Sequence, residues 1–143
     1  MPNRRANDPI GNRKFRVEIE GVTTSAFREC EGLEVEIDIV EFKEDDELIG
    51  RKIPGQVRYS NIILKRGYTA NDDLWLWIKS VLDGKIERRS GSIILLAEDA
   101  SEITRFNFFE AWPCRWKGFV LDTASTGASI EELEIAVEKI EKV

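Results

Sequence analysis

The sequence predicts an α+β domain dominated by antiparallel sheet, and three observations predict it. Short runs of apolar/polar alternation recur along the chain, bounded by glycine, proline and acidic turns. One segment, "TANDDLWLWIKSVLDG", carries helical periodicity with stop and start signals at its ends. With 42% apolar and 34% charged residues, the 143 residues of a single domain (1–143) bury a core without help from disulfides.

The elements follow in order. Residues 1–12 are polar and turn-rich ("NDPIGN") and are expected to form a flexible arm. No apolar stretch follows their basic residues, so they do not read as a secretory signal. Phe15, Val17 and Ile19 then alternate with Arg16, Glu18 and Glu20, a half-buried strand closed by Gly21. Next, Leu33, Val35, Ile37 and Ile39 alternate with Glu34, Glu36 and Asp38. The phase slips there, because Val40 and Phe42 take over the apolar parity. Such a slip predicts a bulge, or a strand passing between two surroundings. The segment "KEDDELIGRKIPG" places four carboxylates, Glu44 to Glu47, ahead of Arg51 and Lys52, and Pro54-Gly55 predicts a tight turn. Roughly 13 residues is long for a hairpin connection, and long loops in compact domains are functional or mobile.

A strand with Ile62 and Leu64 on one parity leads into the helix. Thr69 and Asp72 have capping-box spacing, Asp72 and Asp73 suit the positive end of the helix dipole, and Gly84 is a stop signal. At roughly 100° per residue, Leu74, Trp75, Trp77, Ile78, Val81 and Leu82 fall within an arc of about 160°, the expected core face. Leu76 lies outside it with Lys79, Ser80 and Asp83. Two strands follow, "SIILLAED" and "EITRFNFFEAW", then punctuation by Pro113 and Gly118 and a loop "DTASTGAS". The last segment, 130–140, fits both strand alternation and a helical stripe. Its neighbours favour a strand, giving six strands around one helix.

Composition narrows the chemistry. The chain has no histidine, which removes Ser–His–Asp, Cys–His and His-ligated metal sites together. Its two cysteines, Cys30 and Cys114, fit no zinc spacing and read as small buried hydrophobes. Cys114, between Pro113 and Arg115, is the one nucleophile candidate. Arg115 would lower its pKa, but no histidine base is present. Glu34, Glu36 and Asp38 lie along one strand rather than across a cleft, so they do not form an acid/base pair. Phosphate-binding glycine loops are absent. The net charge of −6, from 21 basic and 27 acidic residues, disfavours stable nucleic-acid binding. No run is long and apolar enough to span a bilayer. Charge is uneven: Arg4, Arg5, Arg13, Lys14 and Arg16 crowd the N-terminus, and Glu131, Glu132, Glu134, Glu138 and Glu141 the C-terminal segment. Opposite faces of this kind either stay solvated or meet between copies. The residues describe an inert, β-rich domain with a long acidic loop, without enzymatic machinery, metal or cofactor.

In order along the chain stand "FRVEIEG", "FRECEGLEVEIDIVEFKE", "RKIPGQVRYSNIILKRG", "LWLWIKSV", "RRSGSIILL", "FNFFEAWPCRWKG" and "IEELEIAVEKIE". The ordered set, from Phe15 to Ile140, resembles the tail tube protein family of contractile phage tails and phage-derived contractile injection systems. The tip "EDDEL" departs from the glycine-richer versions of that family. The resemblance implies an antiparallel six-stranded β-barrel or sandwich with one flanking helix, about 71–83, and an extended hairpin loop, about 43–56. It implies hexameric rings stacked into a hollow tube, driven through a target envelope when a surrounding sheath contracts. Implied partners are further copies of the chain, a sheath protein, a baseplate and spike, and tape-measure or cap proteins, with protein cargo or DNA passing through the lumen. Within that resemblance Glu44, Asp45, Asp46, Glu47, Arg51 and Lys52 are expected to reach an adjacent ring. Glu34, Glu36 and Asp38 are expected to face the lumen, their strand's apolar side packing on the core. Leu76, Lys79 and Asp83 are expected to touch a neighbour or the sheath. Assembly in a bacterial or archaeal cytoplasm is implied, in a phage tail or in a released or membrane-anchored tail-like particle. A baseplate-proximal tube initiator of the same fold and, from a different class, a small-ligand-binding β-barrel stay open as alternatives.

Overall fold

A computed structural model of the protein describes residues 14–22, 27–124, 127 and 129–143. The N-terminal arm, with Arg4, Arg5 and Arg13, and parts of "DTASTGAS" lie outside the described residues. The strands are β1 (Phe15–Ile19), β2 (Phe27–Glu31), β3 (Val35–Phe42), β4 (Arg51–Tyr59), β5 (Ile62–Gly67), β6 (Arg89–Leu96), β7 (Glu102–Lys117), β8 (Ile130–Ala136) and β9 (Lys139–Lys142), and one helix, α1 (Asp73–Leu82), separates β5 from β6. Six strands lie on one antiparallel path in the order β1-β6-β7-β8-β5-β2, β9 joins β7, and β3 and β4 pair only with each other. The mainly β antiparallel class with one helix holds, although the strand roster is longer than six.

β7 makes the fold two-layered. Its first half pairs with β6 and β9, and its last residues, Trp112 to Lys117, pair with β8. Between the halves Glu110 takes a positive φ of 54°, and the register shifts, so the strand turns a corner and enters the second layer. Pro113, expected as punctuation, lies inside β7. It neighbours the bulge at Cys114, where the ladder is already interrupted.

Alternation delivers the core. Ile62 and Leu64 pair with Ile135 and Leu133, and all four are fully buried with Trp77 and Phe108. On α1 the expected core face is narrower than its apolar arc. Leu74 and Trp77 are buried, Ile78 and Val81 half-buried, while Trp75 is exposed and Leu82 is 69% exposed. The capping box does not form. Thr69 Oγ1 accepts from the Asn71 amide, and Asn71 Oδ1 accepts from the Asp73 amide at 3.1 Å. Gly84, at φ 82°, ends the helix as expected, its amide donating to the Val81 carbonyl.

Candidate assembly interface

The long strands β2–β3 and β4–β5 form one two-stranded ribbon with a bend in the middle. Its lower half belongs to the main sheet through β5 and β8. Its upper half is the β3–β4 hairpin, which pairs with nothing else among the described residues. The Ser60 amide donates to the Glu34 carbonyl across the bend, and the Asn61 side chain donates to Glu134 Oε2 at 2.8 Å, tying the bend to β8. Gly32 makes the bend. Its φ is 103°, and a Cβ there would lie 2.0 Å from the Asn61 carbonyl oxygen.

The hairpin turns apolar side chains to water. Val35, Ile37 and Ile39 share one face with Val57 and Tyr59, and Ile39 is 66% exposed. The strand's apolar side therefore does not pack on the core of its own chain. The bend carries it off the sheet. Beyond Asp38 the apolar parity changes sides, and Val40, Phe42 and Ile53 form an exposed patch on the opposite face. The register shifts at this point, Ile37 pairing with Val57 but Ile39 with Pro54, so the extra residue lies in β4; β3 itself keeps its alternation, and its phase slip marks the apolar residues changing face. Pro54 and Gly55 lie in the bulged strand rather than in a turn. A Cβ at Gly55 would come within 2.9 Å of Val40 Cγ2. The turn sits instead among the acidic residues, where the Glu47 amide donates to the Glu44 carbonyl.

The loop charges are partly spent within the chain. Glu47 accepts from Arg51 and Glu41 pairs with Lys52 at 3.8 Å, while Glu44, Asp45 and Asp46 are exposed. Beside them Leu48 is 95% exposed and Ile49 is also exposed, an apolar pair that sequence reading passes over. Glu36 and Asp38 share a face with Arg58, whose Nε and Nη2 donate to Asp38 Oδ2 at 3.2 and 3.0 Å. Glu34 is exposed at the bend. On α1, Leu76 is exposed next to an ion pair of Lys79 with Asp83 at 3.0 Å.

Neither cysteine is activated. Burial, with Glu31 beside it, pushes the Cys30 thiol up to about 12. Cys114 is exposed rather than buried as expected, and its thiol is also raised, first by the part of it that is desolvated and then by Glu134, so Arg115 does not lower it. The interior between the two layers is filled by side chains such as Trp77, Phe108 and Leu133.

The chain matches the model of the T4-like virus tail tube protein gp19 family over residues 11–141. Its fold superposes on a chain from the cryo-EM structure of an extracellular contractile injection system, the PVC sheath-tube complex in the extended state. That match has a TM-score of 0.87 and 22% identity, covering 96% of this chain and 93% of that one. A chain of the sixfold symmetrised cryo-EM structure of the anti-feeding prophage baseplate gives a TM-score of 0.84 at 23% identity, covering 95% and 96%. Hcp1 from Flavobacterium johnsoniae gives 0.60 at 20% identity, covering 90% and 94%. No curated protein matches the chain in sequence.

Proposed function

This chain belongs to the T4-like virus tail tube protein gp19 family and is a structural tube subunit, and on that premise we propose that its copies close into hexameric rings that stack into a hollow tube. The observation that carries the reading is the β3–β4 hairpin, apolar on opposite faces in its two halves and held off its own core by Gly32. A ribbon of that kind is an aggregation hazard on a lone chain and becomes a joint when other copies cover its apolar patches.

Within the ring, Glu44, Asp45, Asp46, Glu47, Arg51 and Lys52 with the Leu48–Ile49 tip are the stacking loop, reaching the next ring. The charged side of the hairpin, Glu34, Glu36 and Asp38, faces the lumen, where carboxylates discourage passing cargo from adhering. Asp38 is softened there by Arg58. Leu76, Lys79 and Asp83 meet a neighbouring subunit or a sheath. The likeness to chains solved in sheath-tube and baseplate assemblies supports the same classes of partner here, and the sixfold baseplate supports six copies per ring. The role is mechanical rather than enzymatic, with assembly in the cytoplasm before a sheath drives the tube outward.

Negative-stain microscopy of the purified chain, alone and with the baseplate proteins of its own particle, tests the proposal. Rings or tubes of one width with sixfold averages support it. Monomers under both conditions refute it.

A further inference from the structure

The β3–β4 ribbon joins the body of the protein through two short crossings, residues 32–34 and Ser60–Asn61, and neither is strand. Beyond them β3 and β4 pair only with each other. A half-open groove of about 170 Å³ lies in the angle between ribbon and body. Leu33, Val35 and Tyr59 line one wall, Phe106 and Ile140 the other, so packing does not fill that side of the angle. Gly32 permits the sharp bend, but a glycine fixes no angle by itself. Length multiplies any freedom left there. The 8 residues of β3, at about 3.3 Å each, make a lever of roughly 26 Å. A tilt of about 20° then moves its tip by roughly 9 Å.

On the other side of the bend a side-chain hydrogen bond ties ribbon to body, from Asn61 Nδ2 to Glu134 Oε2 of β8 at 2.8 Å. Both side chains stand on the face away from the core, because their neighbours Ile62, Leu133 and Ile135 point into it. The bulge in β7 after Pro113 brings Cys114 to the same place. Its Sγ lies 3.8 Å from Asn61 Nδ2 and 3.5 Å from the Glu134 carbonyl oxygen. The Asn61 amide is thus seated against two strands of the body, and its acceptor is a carboxylate, which makes the stronger kind of hydrogen bond. The bond from the Ser60 amide to the Glu34 carbonyl lies within the ribbon. It holds the two crossings together without fixing their angle to the body.

We propose that Asn61 and Glu134 form a latch that sets the angle of the hairpin, holding a hinged ribbon in the attitude at which other copies cover it. The latch rests on the reading above that copies cover the hairpin, and it adds how the lone chain presents it. Asn61 is a positioning residue, acting through the direction it gives to Leu48, Ile49 and the faces of β3 and β4. A preset angle leaves less freedom to lose when copies meet. The fraction of chains in the productive attitude then scales the apparent affinity directly.

The test uses three full-length variants, Asn61→Asp, Glu134→Gln, and the two together. Asn61→Asp sets one carboxylate against another and is expected to release the ribbon. Glu134→Gln still accepts from Asn61 and is expected to change little. In the double variant donor and acceptor change places, and the bond is expected to return. Asn61 is exposed and both changes keep side-chain size, so circular dichroism is expected to match the unaltered protein. Electron–electron distance measurement reads the angle in dilute protein, with spin labels at the exposed sites Leu48→Cys and Glu141→Cys in a Cys30→Ala, Cys114→Ser background. A single narrow distance is expected with the latch intact and in the double variant, and its loss to a broad distribution in Asn61→Asp. Without labels, Asn61→Asp is expected to need several-fold higher concentration for assembly by sedimentation, and the double variant to recover. Narrow distances in Asn61→Asp, a double variant that stays broad, or a released hairpin that assembles as readily as before overturns the latch and leaves the ring reading standing. Unaltered protein that stays monomeric with the baseplate proteins of its own particle overturns the ring reading and the purpose given to the latch, while the distances still decide whether the latch exists.

Discussion

Arg66 and Glu131 form an ion pair inside the protein, Nε to Oε1 at 2.8 Å, with side chains only 3% and 1% exposed. Arg66 also donates to Asp73 of α1, and Trp116 Nε1 of β7 donates to Glu131 Oε2 at 2.9 Å. The cluster ties β5, β8, β7 and the start of the helix to one another. Glu131→Ala, which leaves a buried guanidinium short of a partner, is expected to lower unfolding free energy by about 3 kcal/mol. Glu131→Gln, which still accepts from Trp116, costs less. Urea titration followed by tryptophan fluorescence measures both, and equal losses would refute the role given to Trp116.

The Cys30 thiol, raised to about 12 by burial, makes stability fall in alkali. The folded chain keeps a proton that the unfolded chain releases above the ordinary thiol pKa. The contribution is therefore whole below about pH 8.5 and declines as pH rises toward 12. Cys30→Ala is expected to flatten that part of the profile. Melting curves at pH 8, 9 and 10 read it out, and parallel slopes in both proteins contradict the assignment.

Replacing Val35, Ile37 and Ile39 with serine removes apolar surface that the lone chain leaves in water. Monomer stability is expected to change by less than about 0.5 kcal/mol per site, as for surface positions. Ring and tube formation is expected to fail. Sedimentation velocity and denaturant melts on the same samples separate the two effects.

Reversing Glu44, Asp45 and Asp46 to lysine alters exposed loop charges while sparing the Glu47–Arg51 and Glu41–Lys52 contacts. Rings are expected to form and tubes to shorten several-fold at low salt. Length distributions by microscopy decide, and unchanged length places the stacking contact elsewhere.

Much of this fold is legible in the sequence, because alternation around Ile62 and Leu64 and around Val17 and Ile19 reports burial directly. The slip at Ile39–Val40 marks a true change of face. The break between β2 and β3 is hidden, since Leu33 and Glu34 keep the alternation going while the bend depends on Gly32 meeting the Asn61 carbonyl, a contact from another strand. Pro54-Gly55 has the composition of a turn yet fills a bulge, which only the register reveals. The helix arc shows which residues are apolar but not how much of the helix the sheet covers, so Trp75 and Leu82 read as core.

Backbone hydrogen exchange on residues 35–42 and 51–59 tests the account most directly, comparing isolated chains with assembled tubes. These amides are expected to exchange rapidly in the monomer, where the hairpin stands apart, and orders of magnitude more slowly once neighbouring copies cover it. Exchange equally fast in both states would mean that the hairpin is not buried by assembly, and would contradict the account.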